Sequence, residues 1–160
     1  MTQEDFKEKF KAAMLISLKE TFEEITGIYL DRGTSLFETL ATISAEEASR
    51  PVSTNCASIA AQVAHITLYI DVILKFMRGE RPKVDWDEIW NTVGAVSTEE
   101  WAASQKRLRD AYEKLHAVIN DDATWEHEDA IVGGMGMLMH NAYHLGEIRQ
   151  ALCTIKSSQS

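Results

Sequence analysis

The sequence is poor in the residues that staple or interrupt a chain. It has two cysteines, Cys56 and Cys153, too far apart for a Cys-x-x-Cys motif and too few for a disulfide framework, which is the usage expected of a reduced, cytoplasmic protein. Any metal ion must then be held by histidine and carboxylate. It also has only two prolines, Pro51 and Pro82, and no stretch alternates apolar with polar residues as a half-buried strand would. The expected fold class is therefore all-α. Positive charge is scarce, with 16 Lys and Arg against 25 Asp and Glu and a net charge of −9. No basic cluster stands out, and binding a phosphate backbone needs several cations on one face, so nucleic acid is excluded as an expected partner. Met1 to Asp5 carries an acidic pair where a secretory leader needs positive charge, and no apolar stretch follows it. The longest apolar-rich run, Ile59 to Met77, contains Gln62, His65, Asp71 and Lys75, each costly in hydrocarbon, so it reads as a core helix with no membrane partner. The length suits one domain, residues 1–160, able to bury roughly 70% of the surface its unfolded chain exposes.

What is present is helical periodicity. A first helix from Gln3 to about Thr26 places Phe6, Phe10, Met14 and Leu18 on steps of four, with Gly27 as its stop and its acidic residues forming a solvated face. A segment from Thr34 to Ile43 follows, then a short helical turn opened by Ser44, Ala45, Glu46 and Glu47, then a loop to Asn55. The strongest pattern lies between Ser58 and Arg78, where Ile59, Val63, Ile66, Ile70, Ile73 and Met77 form the seam of a packed helix. Only Thr67, Asp71, Lys75 and Arg78 leave a polar wedge, so this helix is expected at the centre. Gly79 stops it, and a linker with Pro82, Trp86, Trp90 and Gly94 follows. Ser97 and Glu100 form a capping box opening a helix to Asn120, with Trp101, Leu108, Leu115 and Ile119 inward. Gly133 and Gly134 precede the expected last helix, which runs to about Ile155 before a frayed tail over residues 157–160.

His140 and His144 are four apart on that last helix, so both imidazoles can reach one metal ion, a spacing that permits a site without proving it. Glu147 shares their face and could orient a ligand imidazole, join the coordination shell or act as a catalytic base. Met137, Ile148 and Ala151 flank the cluster with apolar surface, so its polar groups need partners. His65 stands alone on the central helix, where a core histidine bonded to a neighbour is the commoner arrangement. His116 reads as a partly exposed helix residue and His127 as a solvated loop residue. Cys56, just before the central helix, reads as a small buried residue, with a helix-N-terminal thiol of lowered pKa as the alternative, and Cys153 reads as core. The tryptophans read as core cover, with those in the linker placed to line a pocket mouth.

The segment Gln62-Val63-Ala64-His65-Ile66, taken with His140-Asn141-Ala142-Tyr143-His144-Leu145-Gly146-Glu147, resembles the signature of the DinB-like (DinB/YfiT) metalloprotein superfamily. The resemblance covers about Thr34 to Ile155. It implies a four-helix bundle, here with an additional N-terminal helix serving packing or dimerisation. It further implies that His65, His140 and His144 bind a divalent metal ion, commonly zinc or nickel, with the remaining positions open to water or substrate. The family often continues Arg-Gly-Gln after the last ligand where this chain has Leu145-Gly146-Glu147, and the family's Trp-Ser start of the second helix is replaced by Asn55-Cys56-Ala57-Ser58. Those departures spare the ligands.

Three neutral imidazoles leave the ion its full charge and an open position, where a water or a thiol becomes more acidic. Members of the superfamily with known chemistry include transferases that use low-molecular-weight thiols such as bacillithiol or mycothiol. The resemblance therefore implies a metal-dependent small-thiol transferase acting on a small-molecule substrate, with Glu147 positioning or deprotonating the thiol. A metal-dependent hydrolase and a non-enzymatic metal-binding or dimerisation module are the alternatives. A homodimer is also expected, without an assigned face.

Overall fold

A computed structural model describes residues 2–127 and 129–158. The first helix, α1, spans Gln3–Phe22 and opens on a capping box, in which the Thr2 hydroxyl accepts the Asp5 N–H and the Asp5 carboxylate accepts the Thr2 N–H. It stops at Phe22, short of Thr26, because Glu20 draws the following chain onto itself. The Glu20 side chain is wholly buried and its carboxylate accepts the N–H groups of Ile28 at 2.7 Å, Tyr29 at 2.7 Å and Leu30 at 2.6 Å, together with the N–H and hydroxyl of Thr26. Gly27, at φ +89°, serves the bend of this loop and does not cap the helix directly. The acidic residues of α1 are thus not simply a solvated face: Glu20 organises a loop, and Glu23 accepts the Tyr112 hydroxyl at 2.5 Å.

Two short helices follow, α2 (Leu36–Leu40) and α3 (Ala45–Ser49), each opened by a Ser and Glu capping box. The central helix α4 spans Ile59–Phe76, with the Ser58 hydroxyl accepting the Ala61 N–H at its start. After Gly79, at φ +79°, the linker contains one unexpected turn of helix, α5 (Glu88–Thr92). Helix α6 spans Thr98–Asn120 from the expected Ser97 and Glu100 box, and a 3-10 turn over Asp122–Glu126 leads to α7, Ala130–Ser157. Gly133 and Gly134 lie inside α7 instead of before it. A Cβ at Gly133 would stand 2.9 Å from Cγ of Met77, and one at Gly134 would stand 3.4 Å from Cε of Met14. The pair lets α7 nest between the end of α4 and α1. Ser157 of the expected frayed tail closes α7, Ser158 caps it, and Gln159 and Ser160 lie outside the described residues.

Helices α6 and α7 each pack against both α1 and α4. Ile59, Val63, Ile66 and Ile70 of α4 meet Leu108, Leu115 and Ile119 of α6, Met137 and Ile148 of α7, and Leu18 and Phe22 of α1 in one core. The N-terminal helix is therefore a packing element of that core. By length and composition α4, with mean hydropathy 1.5, could cross a membrane, but Ile59, Val63, Ile66 and Ile70 are fully buried between other helices. Both cysteines are exposed, contrary to expectation: neither the loop before α4 nor the outer face of α7 at Cys153 is covered.

Candidate metal centre

The packing of α4 on α7 brings His65 to the side of α7 that carries His140 and His144. One ligand-capable nitrogen from each of the three lies within 4.8 Å of the other two. Nε2 of His65 is 3.1 Å from Nε2 of His140. Two nitrogens bound to one tetrahedral zinc ion at ~2.0–2.1 Å stand about 3.3 Å apart, so this pair has nearly the separation that a shared ion imposes. His65 and His144 are buried and His140 is half-buried. Burial pushes the His65 imidazole down to about 4, with His144 adding to the fall and Glu147 opposing it. Burial, then His144 and His65, likewise push His140 down to about 4, and burial pushes His144 down. Buried neutral imidazoles are the form that ligates metal.

Aromatic rings hold the imidazoles in place. The Tyr69 ring stacks on His140 with centroids 3.6 Å apart, and the Trp90 ring, carried by α5, stacks on His65 at 4.5 Å. Nδ1 of His65 has no hydrogen-bond partner. Oε2 of Glu147 lies 2.8 Å from Nδ1 of His144, close but off the line of an aligned hydrogen bond. Three neutral nitrogens on two packed helices, one of them backed by a carboxylate, fit a divalent ion well.

The centre opens onto a cleft of about 1000 Å³ lying between residues 52–57 and the α7 face carrying Tyr143, Glu147, Gln150 and Thr154. His144 and Trp90 also line it. Cys56 lines it from the loop, its Sγ 3.1 Å from the Ser53 hydroxyl. Gln62 lines it from α4, is 7% exposed, and has no partner for its Oε1.

All three expected ligands come together with Glu147 beside them. His116 does not join them, being exposed on α6 near Tyr112. Nor does His127, which is half-buried instead of solvated because its ring lies over Gly79, where a Cβ would stand 2.4 Å from its Nε2. Sequence reasoning gave no role to Gln62 or Tyr69. Their positions three before and four after His65, on its face of the helix and away from the polar wedge, are the signal that could have found them.

No match was found among curated proteins or among solved structures. The family model of the DinB superfamily matches residues 29–148, a span that holds His65, His140, His144 and Glu147 and leaves out α1. Together with the all-helical fold, that match establishes that the chain belongs to the DinB superfamily.

Proposed function

We propose that His65, His140 and His144 hold one divalent ion, zinc or nickel, and that the centre serves a metal-dependent transferase whose co-substrate is a small thiol. The observation that carries this reading is that His144, one of the three clustered histidines, lines a large cleft: a purely structural ion is enclosed by protein ligands, whereas a reactive centre keeps one side accessible. A divalent ion bound there supplies Lewis-acid chemistry that makes a water or thiol on its open side more acidic. The protein does the rest. Tyr69 and Trp90 fix the planes of His140 and His65, and the Glu147 carboxylate beside Nδ1 of His144 favours the tautomer protonated at Nδ1, which leaves Nε2 able to ligate. The same carboxylate lines the cleft, within reach of a thiol proton. Of the roles open to Glu147, orientation of His144 has the most direct geometric support, and proton acceptance is compatible with it. A homodimer in the cytoplasm completes the reading.

The test is metal analysis of protein purified without a polyhistidine tag, followed by a thiol-conjugation assay with small electrophiles. The expected result is about one ion per chain in the wild type, and loss of both ion and conjugation in His144→Ala. Conjugation that survives His144→Ala would sink the proposal, and turnover without any added thiol would point to the hydrolase.

A further inference from the structure

Of the three clustered histidines, only His144 lines the cleft. The other two lie under aromatic rings. Tyr69 stacks on His140 with centroids 3.6 Å apart, and Trp90 stacks on His65 at 4.5 Å with the ring planes 26° apart. A second indole, Trp86, stands 6.1 Å from the His65 ring and 5.9 Å from the Tyr69 ring. His65 beneath them is 6% exposed. Trp90 belongs to both regions, since its ring covers His65 and also lines the cleft.

The two covers are attached to the protein in different ways. Tyr69 sits in the middle of α4, an 18-residue helix of the core. Trp86 and Trp90 belong to the linker between α4 and α6, which is pinned at two places. At its start the Arg81 guanidinium pairs with the Asp129 carboxylate, and at its end the Val96 N–H donates to the Ser49 hydroxyl at 2.9 Å. Between these pins, from residue 82 to 95, no residue is buried. The hydrogen bonds there stay within the segment: the N–H groups of Asn91 and Val93 donate to the carbonyls of Asp87 and Ile89, and the Asp87 N–H donates to the Asp85 carboxylate. Among the described residues, no hydrogen bond or ion pair joins 82–95 to another part of the chain. Helix α5 within it is a single turn of five residues with no side-chain cap. Apolar contact holds the segment down, from Val93 at the margin of the core and from two indoles that are themselves 39% and 37% exposed. A segment with so little burial and no outward hydrogen bonds opens at far lower cost than the helices around it, and active-site lids are drawn from such segments.

We propose that residues 82–95 form a tethered lid over the histidine centre, hinged at Arg81 and Val96, with Trp90 as its plug. With the lid down, as found, His65 is sealed from the cleft; with the lid raised, the cleft reaches His65 and a metal ion can enter or leave. Access then depends on one aromatic ring. The proposal rests on the metal reading only for the identity of what passes, because the sealing of His65 holds with or without an ion.

The first test needs no metal. Metal-stripped, tag-free protein is treated with diethyl pyrocarbonate, which acylates accessible neutral imidazoles, and each histidine is followed by mass spectrometry with the exposed His116 as internal standard. Trp90→Ala should raise the acylation rate of His65 about tenfold, the factor that one lost aromatic stack with its burial represents, and leave that of His116 unchanged. Trp90→Phe, which keeps a ring over His65, should stay close to the wild type. The second test uses zinc, and Trp90→Ala should speed both loading and chelator-driven release about tenfold. Removing a ring that merely oriented His65 would speed release and leave loading as it was. Unchanged loading therefore overturns the lid, as does a wild-type rate of His65 acylation in Trp90→Ala. Protein that takes up no zinc would remove the metal reading and leave the acylation rates to decide the lid by themselves. Should Trp90→Ala fail to fold, hydrogen exchange in the wild type decides. The amides of Asn91 and Val93 should exchange about 100-fold faster than those in the middle of α4, and equal protection overturns the lid.

Discussion

At the scale of single residues, the clustering of His65, His140 and His144 was legible because histidine four apart on a helix is a geometric statement, and because the family motif added the third from another helix. Glu147 was legible as a neighbour, and it lies 2.8 Å from Nδ1 of His144, where the proposed function has it orient that ring. Replacing a carboxylate that orients a ligand histidine typically weakens metal binding by about 10–100-fold. Glu147→Gln is therefore expected to bind zinc in that range more weakly, with an unchanged circular dichroism spectrum, as a competition titration against a chromogenic chelator would show. Gln62 was not legible as a residue of the cleft lining. A glutamine on a mostly apolar helix is unremarkable until its surroundings are known, and only the cleft reveals that Oε1 lacks a partner. The exposure of Cys56 was hidden for the same reason, since small apolar-compatible residues carry no periodic signal in a loop.

At the scale of elements, the central helix and α6 were legible almost to the residue, since long apolar seams and a Ser and Glu capping box are local signals. The end of α1 was not, because a tertiary device sets it: a buried carboxylate collects donors from a loop up to ten residues further on. Burial alone would push the Glu20 carboxyl up, but the Thr26 hydroxyl and the N–H groups of Leu30, Tyr29 and Ile28 outweigh it and hold the group down from 4.5 to about 2. A lowered folded value stabilises the fold above the ordinary value, and that contribution is lost as the pH falls from 4.5 towards 2. Glu20→Gln should accordingly be less stable at neutral pH and should lose less stability than the wild type between those limits, measured by urea unfolding at a series of pH values. Glycine within α7 misled in a different way. Gly133 and Gly134 read as a break but serve close helix packing, whereas Gly146 serves neither. With open space at its Cβ, Gly146→Ala should gain the ordinary helix preference of about 0.5–1 kcal/mol. At about 2–4 °C per kcal/mol for a chain of this size, the melting temperature should rise by ~1–4 °C.

At the scale of the whole molecule, the candidate metal centre draws on two helices that are far apart in the sequence and adjacent in the core, His65 lying on α4 and His140 and His144 on α7. An ion bound only by the folded chain at a thousand times its dissociation constant adds about 4 kcal/mol to stability. On the same conversion, stripping the zinc with a chelator should lower the melting temperature by ~8–16 °C, and His65→Ala should melt at the same temperature with and without chelator. The distribution of tryptophan across the molecule follows the same division between core and centre. The indole N–H groups of Trp101 and Trp125 are held by the backbone carbonyls of Ile43 and Ile119, away from the histidines, while the rings of Trp90 and Trp86 stand 4.5 Å and 6.1 Å from that of His65. Two of the four indoles are therefore placed as intrinsic fluorescent reporters of the centre. An open-shell ion such as Ni²⁺ would quench their emission and closed-shell Zn²⁺ would not, so the protein's own ultraviolet emission should distinguish the two metals without any added dye.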